Sequence, residues 1–100
     1  MASVFLREQK TNVDPIEPGF FQEWHFLDVG GPESAAFLIS AIADSAIGQS
    51  YLLTVEDVRV ETTRTGGAEF VPIHTLHFHV RNVGSVPIEK YFVNVWIIAP

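Results

Sequence analysis

Residues 91–98, Tyr-Phe-Val-Asn-Val-Trp-Ile-Ile, are rich in apolar side chains on both sides of a strand. Successive strand residues point to opposite faces. Tyr91, Val93, Val95 and Ile97 therefore share one face, and Phe92, Asn94, Trp96 and Ile98 share the other. One face builds a core; the other needs a second cover. That cover is either another molecule, the N-terminal segment, or residues 33–47 folded over the same patch. Large apolar patches are uncommon on monomers and tend to mark interfaces, so association is the expected reason for Phe92, Trp96 and Ile98.

The preceding segment has the same period. Leu76, Phe78 and Val80 alternate with Thr75, His77, His79 and Arg81, the pattern of a half-buried antiparallel strand. Asn82 to Pro87 supplies the reversal, and Gly84 is expected there for its access to a positive backbone torsion. Upstream, Phe20, Gln22, Trp24 and Phe26 alternate with Phe21, Glu23, His25 and Leu27, with Trp24 as the expected core anchor and Gly30-Gly31-Pro32 as the stop. Tyr51, Leu53 and Val55 share a side, then Val58, Val60 and Thr62 do. The change of parity at Glu56-Asp57 predicts a bulge or bend; Gly66-Gly67 predicts the following turn.

Residues 33–47 are ambiguous. Their alanines, Leu38 and Ile42 one turn apart, and Gly48 as a stop suit a helix. As a strand, Phe37, Ile39, Ala41 and Ala43 face one way and Leu38, Ser40 and Ile42 the other. The strand is preferred, because the surroundings read as sheet and no clean polar helical face remains. The expected fold is all-β: an antiparallel sandwich of about six or seven strands, immunoglobulin-like or jelly-roll-like, with α+β and one helix at 33–47 as the alternative. One hundred residues enclose a single core. Residues 1–19 form an N-terminal arm or edge strand, and 20–100 the sandwich domain.

In "LHFHVRNVGSVPIEKYFVNVWII", residues 76–98, Val80, Asn82, Gly84, Tyr91, Val93 and Val95 make a pattern that resembles the late strands of immunoglobulin-like sandwiches of the CARDB and fibronectin type III kind. An alternating strand ends there in a Val-x-Asn-x-Gly turn and returns as an aromatic, valine-rich strand. The resemblance implies a non-catalytic domain used in adhesion, assembly or spacing.

Composition removes several functions. A formal charge of −6 with six Lys and Arg disfavours nucleic acid and anionic membrane surfaces, both of which recruit proteins through clustered cations. No apolar run reaches the roughly 20 residues of a spanning helix. The absence of cysteine excludes disulfides and thiolate metal sites. The start, "MASVFLREQKTN", lacks the basic, apolar and small-residue regions of a secretory signal, so the cytoplasm is the default location; part of a released particle has the same signature. No nucleophile elbow, phosphate cradle or calcium loop is present. No catalytic residue or cofactor is assigned.

Three binding expectations remain. Val4, Phe5 and Leu6, with Phe92, Trp96 and Ile98, are expected at an interface with a second copy or a protein partner. Trp24 and Tyr51, or Trp96, suit an aromatic platform for carbohydrate. His77 and His79 lie two apart on one strand face, about 7 Å, the separation of two ligands of one metal, with His25, Glu23 or His74 as a conceivable third.

Overall fold

The computed structural model describes residues 3–27, 36–44, 48–63 and 73–99. Among the described residues six strands run in chain order: β1 (Ser3–Thr11), β2 (Phe21–Phe26), β3 (Ala36–Ala43), β4 (Leu53–Thr63), β5 (Ile73–Asn82) and β6 (Tyr91–Ala99). They form two three-stranded antiparallel sheets, ordered β1-β6-β3 and β2-β5-β4.

The core lies between the two central strands. Leu76, Phe78 and Val80 of β5 face Tyr91, Val93, Val95 and Ile97 of β6, and all are fully buried together with Ile16 and Ile88. The two period-two patterns thus supply one inner face each. Residues 36–43 form a strand with Phe37, Ile39, Ala41 and Ala43 packed against the core, so the helical alternative for 33–47 does not hold in its described part. A helix there would leave β6 without a second neighbour. Gly30-Gly31-Pro32 and Gly66-Gly67 lie outside the described residues.

The expected break in β4 is present. Register with β5 shifts between Glu56 and Arg59, and Asp57 takes a φ of 55°, a left-handed conformation in which Asp is among the better-tolerated residues. Before the bulge β4 is half-buried; after it every residue is exposed. Trp24 is only half-buried, packed on the core's margin, while Phe26 is the buried aromatic of β2. Gly84 corrects another expectation. The positive torsions among described glycines belong to Gly19 and Gly48; a Cβ on Gly84 would meet the Leu52 backbone nitrogen at 3.3 Å. Close approach of two chain segments, not torsion, is what calls for glycine there.

Tyr91 is the largest fully buried side chain among the described residues. Its hydroxyl accepts a hydrogen bond from Trp24 Nε1 (2.9 Å) and donates to Gln22 Oε1. Burial raises its pKa above the ordinary 10.0, partly offset by the Trp24 hydrogen bond. An unfolded tyrosine ionises near pH 10, so the native state holds this proton more tightly. The resulting stability is complete below that pH and is lost as pH climbs toward the higher folded value. The urea midpoint is therefore expected to fall between pH 9 and pH 11, and to fall less in Tyr91→Phe. Equal slopes in the two proteins would contradict this.

Candidate interaction surface

The outer face of the β1-β6-β3 sheet follows from register. Directly paired residues of antiparallel strands project to the same side, which produces four cross-strand rows: Val4, Ile98 and Ala36; Leu6, Trp96 and Leu38; Gln9, Asn94 and Ser40; Thr11, Phe92 and Ile42. Every paired position in these rows is uncharged. Phe92, Trp96 and Ile98 are half-buried by their lateral neighbours, but those neighbours do not roof them. Val4 is 59 %, Leu6 44 %, Leu38 53 % and Ile42 59 % exposed. The N-terminal strand and residues 36–43 widen the apolar surface instead of covering it.

A polar seam crosses this surface. Gln9 Nε2 donates to Asn94 Oδ1 (2.7 Å), and Asn94 Nδ2 donates to Ser40 Oγ (3.3 Å). Asn94, on the central strand, is thereby satisfied although it is buried, as polar groups removed from water require. At the Phe92 end, Lys90 Nζ stands 5.3 Å from the ring centroid, a cation–π contact at the rim.

Of the expected interface residues, Val4, Leu6, Phe92, Trp96 and Ile98 share this face. Phe5 does not: it pairs with the buried Ile97 and faces the inner side. Leu38, Ile42 and the amide seam complete the face. Their alternation is visible in "FLISAIA", but which strands flank β6 is not.

The other candidates lie elsewhere. Trp24 spends its indole N–H on Tyr91, and its ring stacks parallel to Phe26 at 6.1 Å. Tyr51 lines a separate depression with Asp44, Gln49, Pro87 and Lys90. His77 and His79 do share the outer face of the β2-β5-β4 sheet, but each meets its own carboxylates. His77 Nε2 is 3.3 Å from Glu61 Oε1; His79 Nε2 is 3.4 Å from Glu23 Oε1 and 3.8 Å from Asp57 Oδ2. His25 lies against His77, with ring centroids 5.8 Å apart, while His74 is hydrogen-bonded to Thr62. Among the described residues, no group of three or more His, Cys, Asp or Glu side chains is arranged to hold a metal ion. No protein family, curated protein or solved structure matches the chain.

Proposed function

We propose that this protein is a non-catalytic structural β-sandwich that assembles with further copies of itself through the outer face of the β1-β6-β3 sheet. The observation that carries this reading is the uncharged, largely apolar set of four rows on a chain of net charge −6. Like-charged copies repel over most of their surface; this face is where they approach without that repulsion, and where apolar area leaves water on contact.

The face also suits a two-fold pairing, in which the same patch serves both partners. With the axis lying along the Gln9–Asn94–Ser40 row, seam meets seam. The Leu6–Trp96–Leu38 row of one copy then lies against the Thr11–Phe92–Ile42 row of the other. Two sheets packed this way stand about 10 Å apart, as in a sandwich core. Sedimentation velocity over a concentration series is the test. Reversible association growing with concentration is expected, and added salt should strengthen it, since salt screens the repulsion between acidic copies and leaves an apolar contact intact. A single monomeric boundary at every concentration would overturn the proposal.

A further inference from the structure

We infer that β1 is an exchangeable strand: residues 3–12 of one copy dock beside β6 of another, in the register they adopt within their own chain. This deepens the assembly reading and rests on it for the biological setting, while the contact it uses is a different one.

The first argument is connectivity. Four strands, β2 to β5, separate β1 from its ladder partner β6 along the chain, so no hairpin ties them. The second is burial. Every β1 residue except Glu8 is exposed, and the ladder is interrupted between Leu6 and Glu8. Detaching β1 returns to water roughly half of the Phe5 and Leu6 surface, which an exchanged strand covers again in the same register, and it strips one edge of β6, whose Val93 and Val95 are fully buried. An uncovered edge with free N–H and C=O groups is a template for an identical strand.

The third argument is the position of the anchors. Asn12 ends the docked segment with a set of hydrogen bonds: its backbone N–H donates to Tyr91 O (3.3 Å), its Oδ1 accepts from Tyr91 N (2.8 Å), and its Nδ2 donates to Glu89 O (2.9 Å). Ile16 begins the next fixed segment, fully buried and paired in both directions with Ile88. Between them Val13, Asp14 and Pro15 are all exposed, Val13 at 96 %, and are held by side-chain hydrogen bonds alone, from Asn12 Nδ2 to Asp14 O (2.7 Å) and from Gln22 Nε2 to Asp14 O (2.9 Å) and Pro15 O (3.3 Å). A short hinge between two anchored segments, with φ of Pro15 fixed by its ring, is the arrangement that favours exchange of an identical element between copies. Closed and exchanged forms make the same β1–β6 contacts, so the balance between them is set by the hinge and by concentration. Reciprocal exchange gives a closed dimer. One-way exchange, each β1 passing to the next copy, gives an open chain.

The occupant is a second copy because the groove beside β6 is already fitted to this sequence, bulge included. The chain has no cysteine, so single-cysteine variants report the contact directly. Lys10 and Val93 are register partners on the inner side of the sheet, out of reach of a copy stacked on the outer face. Paired antiparallel residues are about 4.5 to 5.5 Å apart at Cα, within disulfide range.

In an equimolar mixture of Lys10→Cys and Val93→Cys chains, refolded together at high concentration and oxidised, disulfide-linked heterodimers are expected to dominate over homodimers. The double variant should close within one chain when dilute. If the double variant closes but the mixture gives no heterodimer, exchange is overturned; the Phe5→Cys and Ile97→Cys pair repeats the test should Val93→Cys not fold. Repeating the mixture in a Trp96→Glu background separates the two ideas. Heterodimers persisting there support exchange even if face-to-face association is gone. Association by sedimentation without any heterodimer removes exchange and leaves the face intact.

Discussion

Trp96→Glu is expected to abolish face-to-face association while leaving the sandwich folded. Trp96 sits at the centre of its row, between Leu6 and Leu38, on the outer side of the central strand. Within one protomer it is half-buried, so a glutamate there keeps its carboxylate in water. The cost to folding is the loss of cross-strand contacts with the two leucines, about 1 kcal/mol. In a face-to-face pair the same position is enclosed. The variant then loses the burial of a large aromatic side chain, roughly 1.5 to 3 kcal/mol, and places an unpaired charge in an apolar contact. By symmetry each dimer suffers this twice. A weakening of at least about 100-fold in Kd is expected, since 1.4 kcal/mol is a factor of ten. Leu38→Glu and Ile42→Glu should act in the same direction, and Val83→Glu, exposed in the 82–87 turn, should not. An unchanged sedimentation profile in Trp96→Glu with a native urea transition would place the contact elsewhere.

Asn82→Ala is expected to be among the most destabilising single substitutions in the chain. Asn82 is fully buried. Its Nδ2 donates to Ile16 O (3.0 Å) and Val86 O (2.8 Å), and its Oδ1 accepts from Gly84 N (3.0 Å). Its backbone adds a hydrogen bond from Gly19 N and one to Phe20 O. One side chain thus joins the β5–β6 turn to the segment that enters β2. Alanine leaves the Val86 carbonyl and the Gly84 N–H without that partner and takes from Ile16 O one of its two donors, the Ile88 N–H remaining; at about 1 to 3 kcal/mol for each group left unsatisfied, the two that lose their partner cost about 2 to 4 kcal/mol. That is a large part of the 5 to 15 kcal/mol typical of a domain. Asn82→Asp should be worse than alanine at neutral pH, although it is nearly isosteric. It keeps the acceptor for Gly84 but turns a carboxylate oxygen toward the two carbonyls. Urea midpoints ordered wild type, alanine, aspartate are the expected result; a tolerated aspartate would mean that the amide's two donated bonds contribute little.

The fold was readable to the extent that single strands announce themselves. Alternation in 76–82 and 91–98 located two strands and sorted their side chains into faces, the parity change at Glu56-Asp57 marked the bulge, and the structure adds that both strands are central and that Tyr91, Val93, Val95 and Ile97 are the side turned inward. Residues 36–43 were legible as a strand for the same reason, since Leu38, Ser40 and Ile42 alternate with side chains that the core covers. Pairing was not legible. Nothing local says that the first strand lies beside the last, because that contact joins residues some 90 positions apart and leaves no turn signature. The outer face was therefore visible only as its central column, Phe92, Trp96 and Ile98. Its flanks came from the register, as did the exclusion of Phe5. Trp24 shows another limit: aromatic bulk suggested a core anchor or a sugar platform, while the indole N–H at the sandwich margin serves Tyr91. Asn82 was read as a turn residue, a correct but partial reading. Turn chemistry is local, and its bond to Ile16 is not.

The bulge at Asp57 divides one strand pair into two mechanical parts. On the near side β4 lies over the core; beyond it the strand is fully solvent-facing, and the molecule extends 56 Å along its longest axis with a radius of gyration of 15.8 Å, above the ~13 Å of a round domain this size. Amides from Val58 to Thr63 are thus guarded by one ladder and little else. In deuterated solvent they exchange through fraying of the hairpin end, whereas those of Phe78 and Val80 wait for the whole sandwich to open.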